Sequence, residues 1–135
     1  MAGMTLQQIE AWFAGHFPDF EKRFQLESVE PGRARLRLLV EDRHLRPGGT
    51  VSGPSMMMLA DAAVYAALLA RDEDAGDAVT SNFNIAFLRR PKPEDIVAEA
   101  ELLLAGRRLA VAEVRLWSQG ASEPVAQATV TYVRP

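Results

Sequence analysis

"GPSMMMLADAAVYAALLA", residues 53–70, is an almost unbroken apolar run with one carboxylate, Asp61, inside it. Its length and its alanine and methionine content favour helix over strand. Pro54 suits a first helical turn, Ser52 can cap the free amides, and "RDEDAGDA" (71–78) ends the run in charge. A helix apolar on nearly all sides must be covered nearly all round. As a membrane span the run is short, alanine-rich and burdened with a carboxylate that lipid penalises, so a core helix is expected.

The flanking sequence supplies the cover. "MTLQQIEAWFAGHFP" (4–18) predicts a short amphipathic helix capped by Thr5, with Leu6, Ile9 and Phe13 on one face, stopped by Gly15 and Pro18. It is expected to pack over an edge or end of the main structure. "KRFQLESV" (22–29) reads as a first strand with Phe24, Leu26 and Ser28 facing one way, and "EPGR" (30–33) as a turn. "ARLRLLV" (34–40) alternates Ala34, Leu36, Leu38 and Val40 against Arg35, Arg37 and Leu39, the period of a half-buried antiparallel strand. "EDRHLRPGG" (41–49) is expected to be a polar loop.

Four more strands follow the helix, at 78–89, 95–106, 107–118 and 124–133. In the first, Ser81, Phe83, Ile85 and Phe87 oppose Thr80, Asn82, Asn84 and Ala86, and in the third, Leu109, Val111, Glu113 and Arg115 oppose Ala110, Ala112, Val114 and Leu116. The sum is an α+β fold: one antiparallel sheet of five or six strands around a long central helix, in a single domain (1–135) whose residues 1–20 form a helical extension. One curved sheet covers only part of such a helix. The uncovered part, like an open sheet edge, favours association with a second copy.

Composition narrows the function. The 135 residues are 48% apolar and 24% charged with a net charge of −3, which leaves no basic footprint for nucleic acid. There are no cysteines, and two histidines, His16 and His44, do not suffice for a histidine zinc site. The N-terminus lacks the basic start and apolar core of a secretory signal, so a cytoplasmic protein outside the membrane is expected.

Three places can carry chemistry. Asp61 is either a solvent-facing or backbone-satisfied acid, or a carboxylate at a wet pocket or subunit seam serving as general base or nucleophile. At the helix start, Gly53 permits close approach to first-turn amides that can hold an oxyanion, or it simply makes a turn. In "NFNIAFLRRP" (82–91), Asn82 and Asn84 need hydrogen-bond partners if buried. Arg89 and Arg90 are either phosphate ligands or solvated charges. "GRR" (106–108) reads as a hairpin turn, and Trp12 and Trp117 as packing residues.

"RPGGTVSGPSMMMLADAAVYAAL" (46–68) and "TSNFNIAFLRRPKPEDIVAEAELLLAGRRLAVAEVRL" (80–116) together resemble the hotdog-fold acyl-CoA thioesterases of the phenylacetate-degradation type, from about Glu30 to the C-terminus. The resemblance implies a long helix wrapped by a sheet, a homodimer that often pairs into a dimer of dimers, and acyl-CoA in clefts at the dimer interface. No metal or redox cofactor is implied, since coenzyme A is part of the substrate. The aspartate of the family's "LAD" maps onto Asp61 and acts on a thioester held mainly by the other subunit. Gly53 maps onto the glycine whose amide binds the thioester carbonyl. Thr80, with Ser81 as the second match, maps onto a hydroxyl that positions water.

The chain departs from the family at three positions: Ser52 replaces a histidine, Pro54 a glycine and Arg46 an asparagine. The resemblance leaves Arg46 three roles: to hydrogen-bond the thioester or water, to pair with Asp61 across the seam, or to reach pantetheine or phosphate. It places Arg89 and Arg90 near the CoA phosphates, with Arg107 or Arg108 as further candidates. Met56, Met57, Met58, Tyr65 and Trp117 can close the far end of an acyl tunnel. The expected activity is hydrolysis of medium-chain or aromatic acyl-CoA. The rivals are an acyl-CoA-binding or sensing protein with little turnover, and a dehydratase on the same fold.

Overall fold

Thr5 opens the first helix, α1 (Leu6–His16), through a full capping box: its hydroxyl accepts from the Gln8 amide while Gln8 Oε1 accepts from the Thr5 amide. The computed structural model describes residues 2–135. After α1 come a single-turn helix α2 (Phe20–Arg23), strands β1 (Phe24–Glu30) and β2 (Arg33–Leu38), and a two-residue ladder of β3 (Leu45–Arg46) with β4 (Thr50–Val51). The long helix α3 (Gly53–Arg71) follows, then β5 (Val79–Phe87), β6 (Ile96–Ala105), β7 (Leu109–Ser118) and β8 (Ala126–Val133).

The six long strands form one antiparallel sheet in the order β1-β2-β6-β7-β8-β5, which wraps α3. Inward positions are those the alternation marked: Ala34, Leu36 and Leu38 on β2, and Ala110, Ala112, Val114 and Leu116 on β7, are all buried. Along α3, every residue from Ala63 to Ala70 is buried. The helix is long and apolar enough to cross a membrane by length and composition alone, with a mean hydropathy of 1.4, yet 67% of that window is buried inside the protein.

Two strands depart from strict alternation. A bulge between Leu26 and Ser28 turns Ser28 outward and leaves Val29 opposite the buried Ala34, so Ser28 does not share the face of Phe24 and Leu26 as the sequence suggests. A second bulge, between Thr80 and Asn82, pairs Thr80 with the inward-facing Tyr132. Thr80 therefore shares the inner face with Phe83 and Ile85, the reverse of the simple period-two expectation, and Ser81 becomes the extra residue.

The segment before β1 is also richer than expected. Lys22 and Arg23 belong to the α2 turn rather than to the strand. Helix α1 packs beside the edge strand β1 and lies across α3, where Trp12 Nε1 donates to Tyr65 Oη (3.0 Å) and Tyr65 Oη donates to the Gly76 carbonyl (2.5 Å). The expected 41–49 loop holds a 3₁₀ turn (Asp42–His44) and β3, which pairs with β4 just beyond it across a turn where Gly48 and Gly49 have positive φ (99° and 77°).

Gly76 packs so closely under the Trp12 indole that a Cβ there would lie 2.4 Å from Trp12 Cζ2. Gly76→Ala is expected to lift α1 from α3 and to cost about 1–3 kcal/mol. Urea denaturation checks this; a midpoint equal to that of the parent protein would contradict it.

Candidate active site

Asp61 lies two turns into α3, half-buried, at the point where the sheet stops covering the helix. Two hydroxyls converge on one of its oxygens. Thr80 Oγ1 donates to Asp61 Oδ1 at 2.8 Å, and Tyr132 Oη lies 2.9 Å from the same atom and 3.2 Å from the Asp61 carbonyl. Burial, with the Asp61 carboxylate beside it, holds the Tyr132 phenol far above the ordinary tyrosine range, so it stays a neutral donor. Asp61 Oδ2 takes no part in these bonds. Asp61 lines a pocket of about 300 Å³.

That pocket is walled by Phe13, Phe17, Phe20 and Phe24 from the N-terminal segment, with Met58 and Tyr65 from α3. The aromatic rings pack on one another: Phe13 stacks on Phe20 (4.2 Å between centroids) and meets Tyr65 edge-on (5.7 Å). An apolar pocket with a few convergent polar groups at its wall is the usual form of a small-molecule site. Of the residues expected to close an acyl tunnel, Met58 and Tyr65 line this pocket. Met56 is buried in the core, Met57 is exposed, and Trp117 lies on the outward face of β7, away from Asp61.

At the other end of the active face, Ser52 caps α3. Its hydroxyl accepts from the Ser55 amide (3.3 Å) and shares a hydrogen bond with Ser55 Oγ (2.8 Å), while its own amide donates to the His44 carbonyl (2.8 Å). Pro54 sits in the first turn, where its missing N–H costs nothing. The Gly53 amide, a first-turn donor with no intrahelical acceptor, points out of the helix end with the positive dipole behind it. A Cβ on Gly53 would lie 3.2 Å from Phe87 Cζ, so the last residue of β5 packs directly on this turn.

The basic side chains sort into two kinds. Arg89 is committed to its own chain, with Glu123 Oε2 at 2.5 Å and the Pro124 carbonyl at 2.7 Å. Arg90 Nη2 donates to the Gly48 carbonyl (2.9 Å), which brings it to the turn beside Arg46. Arg46 is exposed and enters no ion pair among the described residues. Asn82 and Asn84 are exposed on the outer side of β5 and are not brought to Asp61. Arg107 and Arg108 lie in the β6–β7 hairpin turn, as expected. Among the described residues no group of three or more histidine, aspartate or glutamate side chains is placed to hold a metal ion.

Asp61, Thr80 and the aromatic pocket therefore meet within one chain, whereas Gly53 and Asp61 do not. They are eight positions apart on one helix, roughly 12 Å along its axis. An oxyanion donor and a base that activates water on the same carbonyl must lie within roughly 10 Å of each other. Sequence reasoning missed Tyr132 and the phenylalanine wall. Tyr132 carried a usable signal: it continues the inward series Ala126, Ala128 and Val130, and a buried tyrosine hydroxyl needs a partner.

Removing either donor should loosen Asp61 while sparing the fold. Tyr132→Phe and Thr80→Val are each expected to lower kcat about tenfold or more with KM little changed. Steady-state thiol release measures this, and unchanged kcat in both variants would show that the two hydroxyls do not position the acid.

Comparison with known proteins agrees on one family. Residues 48–125 match the family model described as the thioesterase superfamily. Human acyl-coenzyme A thioesterase 13 is 31% identical over 106 residues, 78% of this chain and 75% of that protein. Among solved structures, a candidate thioesterase from Silicibacter sp. TM1040 is 40% identical with a TM-score of 0.89, covering 100% of this chain and 94% of the other. Zebrafish thioesterase superfamily member 2 is 27% identical with a TM-score of 0.84, covering 97% and 99%.

Proposed function

The chain belongs to the thioesterase superfamily and is a thioester hydrolase, and we propose that it hydrolyses compact aromatic or medium-chain acyl-CoA at sites shared between two subunits. The observation that carries this is the placement of Gly53 and Asp61 at the two ends of one exposed edge strand. Phe87, at the end of β5, packs on Gly53, and Thr80, near its start, bonds Asp61. Strand β5 is the open edge of the sheet, and an uncovered edge of this length is a template for pairing. An antiparallel pair of β5 strands with its two-fold axis between Phe83 and Asn84, the register proposed here, sets Phe87 of one subunit beside the equivalent of Thr80 in its partner. The Gly53 amide of one subunit then faces the partner's Asp61.

In that arrangement the Gly53 N–H polarises the thioester carbonyl. The Oδ2 of the facing Asp61 takes a proton from water as the water oxygen attacks the carbonyl carbon. Thr80 donates its one proton to Asp61 and keeps lone pairs to accept from that water, which favours the general-base role over direct attack. Collapse of the tetrahedral intermediate breaks the C–S bond, and the coenzyme A thiolate recovers the proton from Asp61. The helix start supports turnover over a purely binding role, since Ser52 and Pro54 keep its first turn intact despite the departures from the family pattern. No metal or redox group has a part in this scheme.

Arg46 and Arg90, on either side of the Pro47–Gly49 turn next to the helix start, are the cations best placed for the CoA phosphates. Arg89 is already neutralised by Glu123. The outer sheet face offers a surface for two such dimers to associate.

Asp61→Asn keeps the shape and both donated hydrogen bonds but removes the base. It is expected to abolish thiol release across an acyl-CoA panel, with an unchanged dimer mass by light scattering. Full residual activity would remove Asp61 from the mechanism. Arg90→Ala should raise KM for acyl-CoA about tenfold, and leave KM for the matching acyl-pantetheine, which lacks the nucleotide phosphates, near the parent value. An equal rise for both would place the phosphates elsewhere.

A further inference from the structure

One cation in the aromatic pocket has no structural employment. Arg23, the last residue of α2, lines the same pocket as Asp61, and its Nε is sealed from solvent without a hydrogen-bond partner. None of the ion pairs among the described residues involves it. Its backbone is fixed independently, since the Arg23 carbonyl accepts from the Leu39 amide at 2.7 Å. The nearby imidazole of His44 offers no counter-charge. Burial, with Arg43 and Arg23 close by, pulls its pKa below the ordinary histidine value, and its Nδ1 accepts from the Glu41 amide at 2.9 Å.

A guanidinium is always charged and has five donors in a fork that matches a carboxylate. Beside a wall of phenylalanines its Nε loses water without gaining a partner, an expensive arrangement unless a ligand offsets it at the rest of the fork. Asp61 cannot be that partner, since the two side chains line one pocket without pairing and Asp61 Oδ1 is already taken by Thr80 and Tyr132.

We infer that Arg23 is a specificity-determining residue that receives a carboxylate at the far end of the acyl group, so that the preferred substrates are thioesters of compact dicarboxylic acids. The inference rests on the reading of Asp61 as the group that works at the thioester end of this pocket. A volume of about 300 Å³ lies at the small end of ligand sites, so the acyl group is short or a single ring. The aromatic wall holds its carbon part, and Arg23 meets the terminal oxygens by paired N–H···O bonds.

The test separates this inference from the hydrolase reading by measuring binding as well as turnover. Non-hydrolysable CoA thioethers with a six-carbon chain ending in a methyl, a methyl ketone or a carboxylate are titrated by calorimetry. The carboxylate form should bind at least about tenfold more tightly than the methyl form, with the ketone between them. In Arg23→Met this ratio should fall to about one, and Arg23→Lys, which keeps the charge but not the fork, should restore part of it. Equal affinities in the parent protein, or a preference that survives Arg23→Met, would overturn the inference while leaving thioester hydrolysis untouched. A clear carboxylate preference together with no thiol release from any acyl-CoA would leave the Arg23 subsite standing and overturn the hydrolase reading. The parent comparison needs no variant to fold.

Discussion

Two hydroxyl groups aimed at one carboxylate oxygen hold the active face of this protein together. Thr80 comes from the open edge strand, Tyr132 from the strand beside it, and Asp61 from the central helix. The bonds tie helix to sheet, and they leave the second carboxylate oxygen out of this network. A carboxylate in an otherwise apolar helix is tolerable only if its polar demand is met. Here half of it is met internally and half is left to water and substrate.

From this constraint the rest of the arrangement follows. Asp61 on its helix cannot share a carbonyl with the amide at the start of the same helix, because too many residues separate them. The edge strand β5 touches both places, Gly53 through Phe87 and Asp61 through Thr80, and presents its free backbone groups between them. Pairing this strand with its own copy both covers an exposed edge and completes two sites. The N-terminal segment does a separate job. Its phenylalanines, pinned through Trp12 to Tyr65, roof the part of α3 that the sheet leaves bare and so make the acyl pocket.

Much of this was legible in the residues. The length and composition of 53–70 announced the helix, and the period of two in 34–40 and 107–118 announced the strands. The capping roles of Thr5 and Ser52 followed from side-chain chemistry alone. What escaped was set by register. A bulge at Ser81 has no local signature, because it exists only relative to the partner strand, yet it turns Thr80 towards Asp61. The outward turn of Ser28 has the same origin. Likewise, "HFPDFEKRF" (16–24) reads as a helix end at Pro18 and a strand from Lys22, with no sign of the helical turn Phe20–Arg23. Its phenylalanines and Arg23 become pocket walls only once α1 lies across α3.

The sharing of each site between two subunits is tested most directly by mixing two inactive proteins. Asp61→Asn lacks the base. Gly53→Pro deletes the amide proton at the first helical position; its Cβ would lie 3.2 Å from Phe87 Cζ, so an unchanged dimer mass by light scattering is required of this variant before mixing. When the two are unfolded together and refolded as a random mixture, half of the dimers contain one of each. Such a dimer has one site with both groups intact and one with neither. Thiol release should return to about a quarter of the parent activity. A mixture as inactive as its components would mean that each site is built within one subunit.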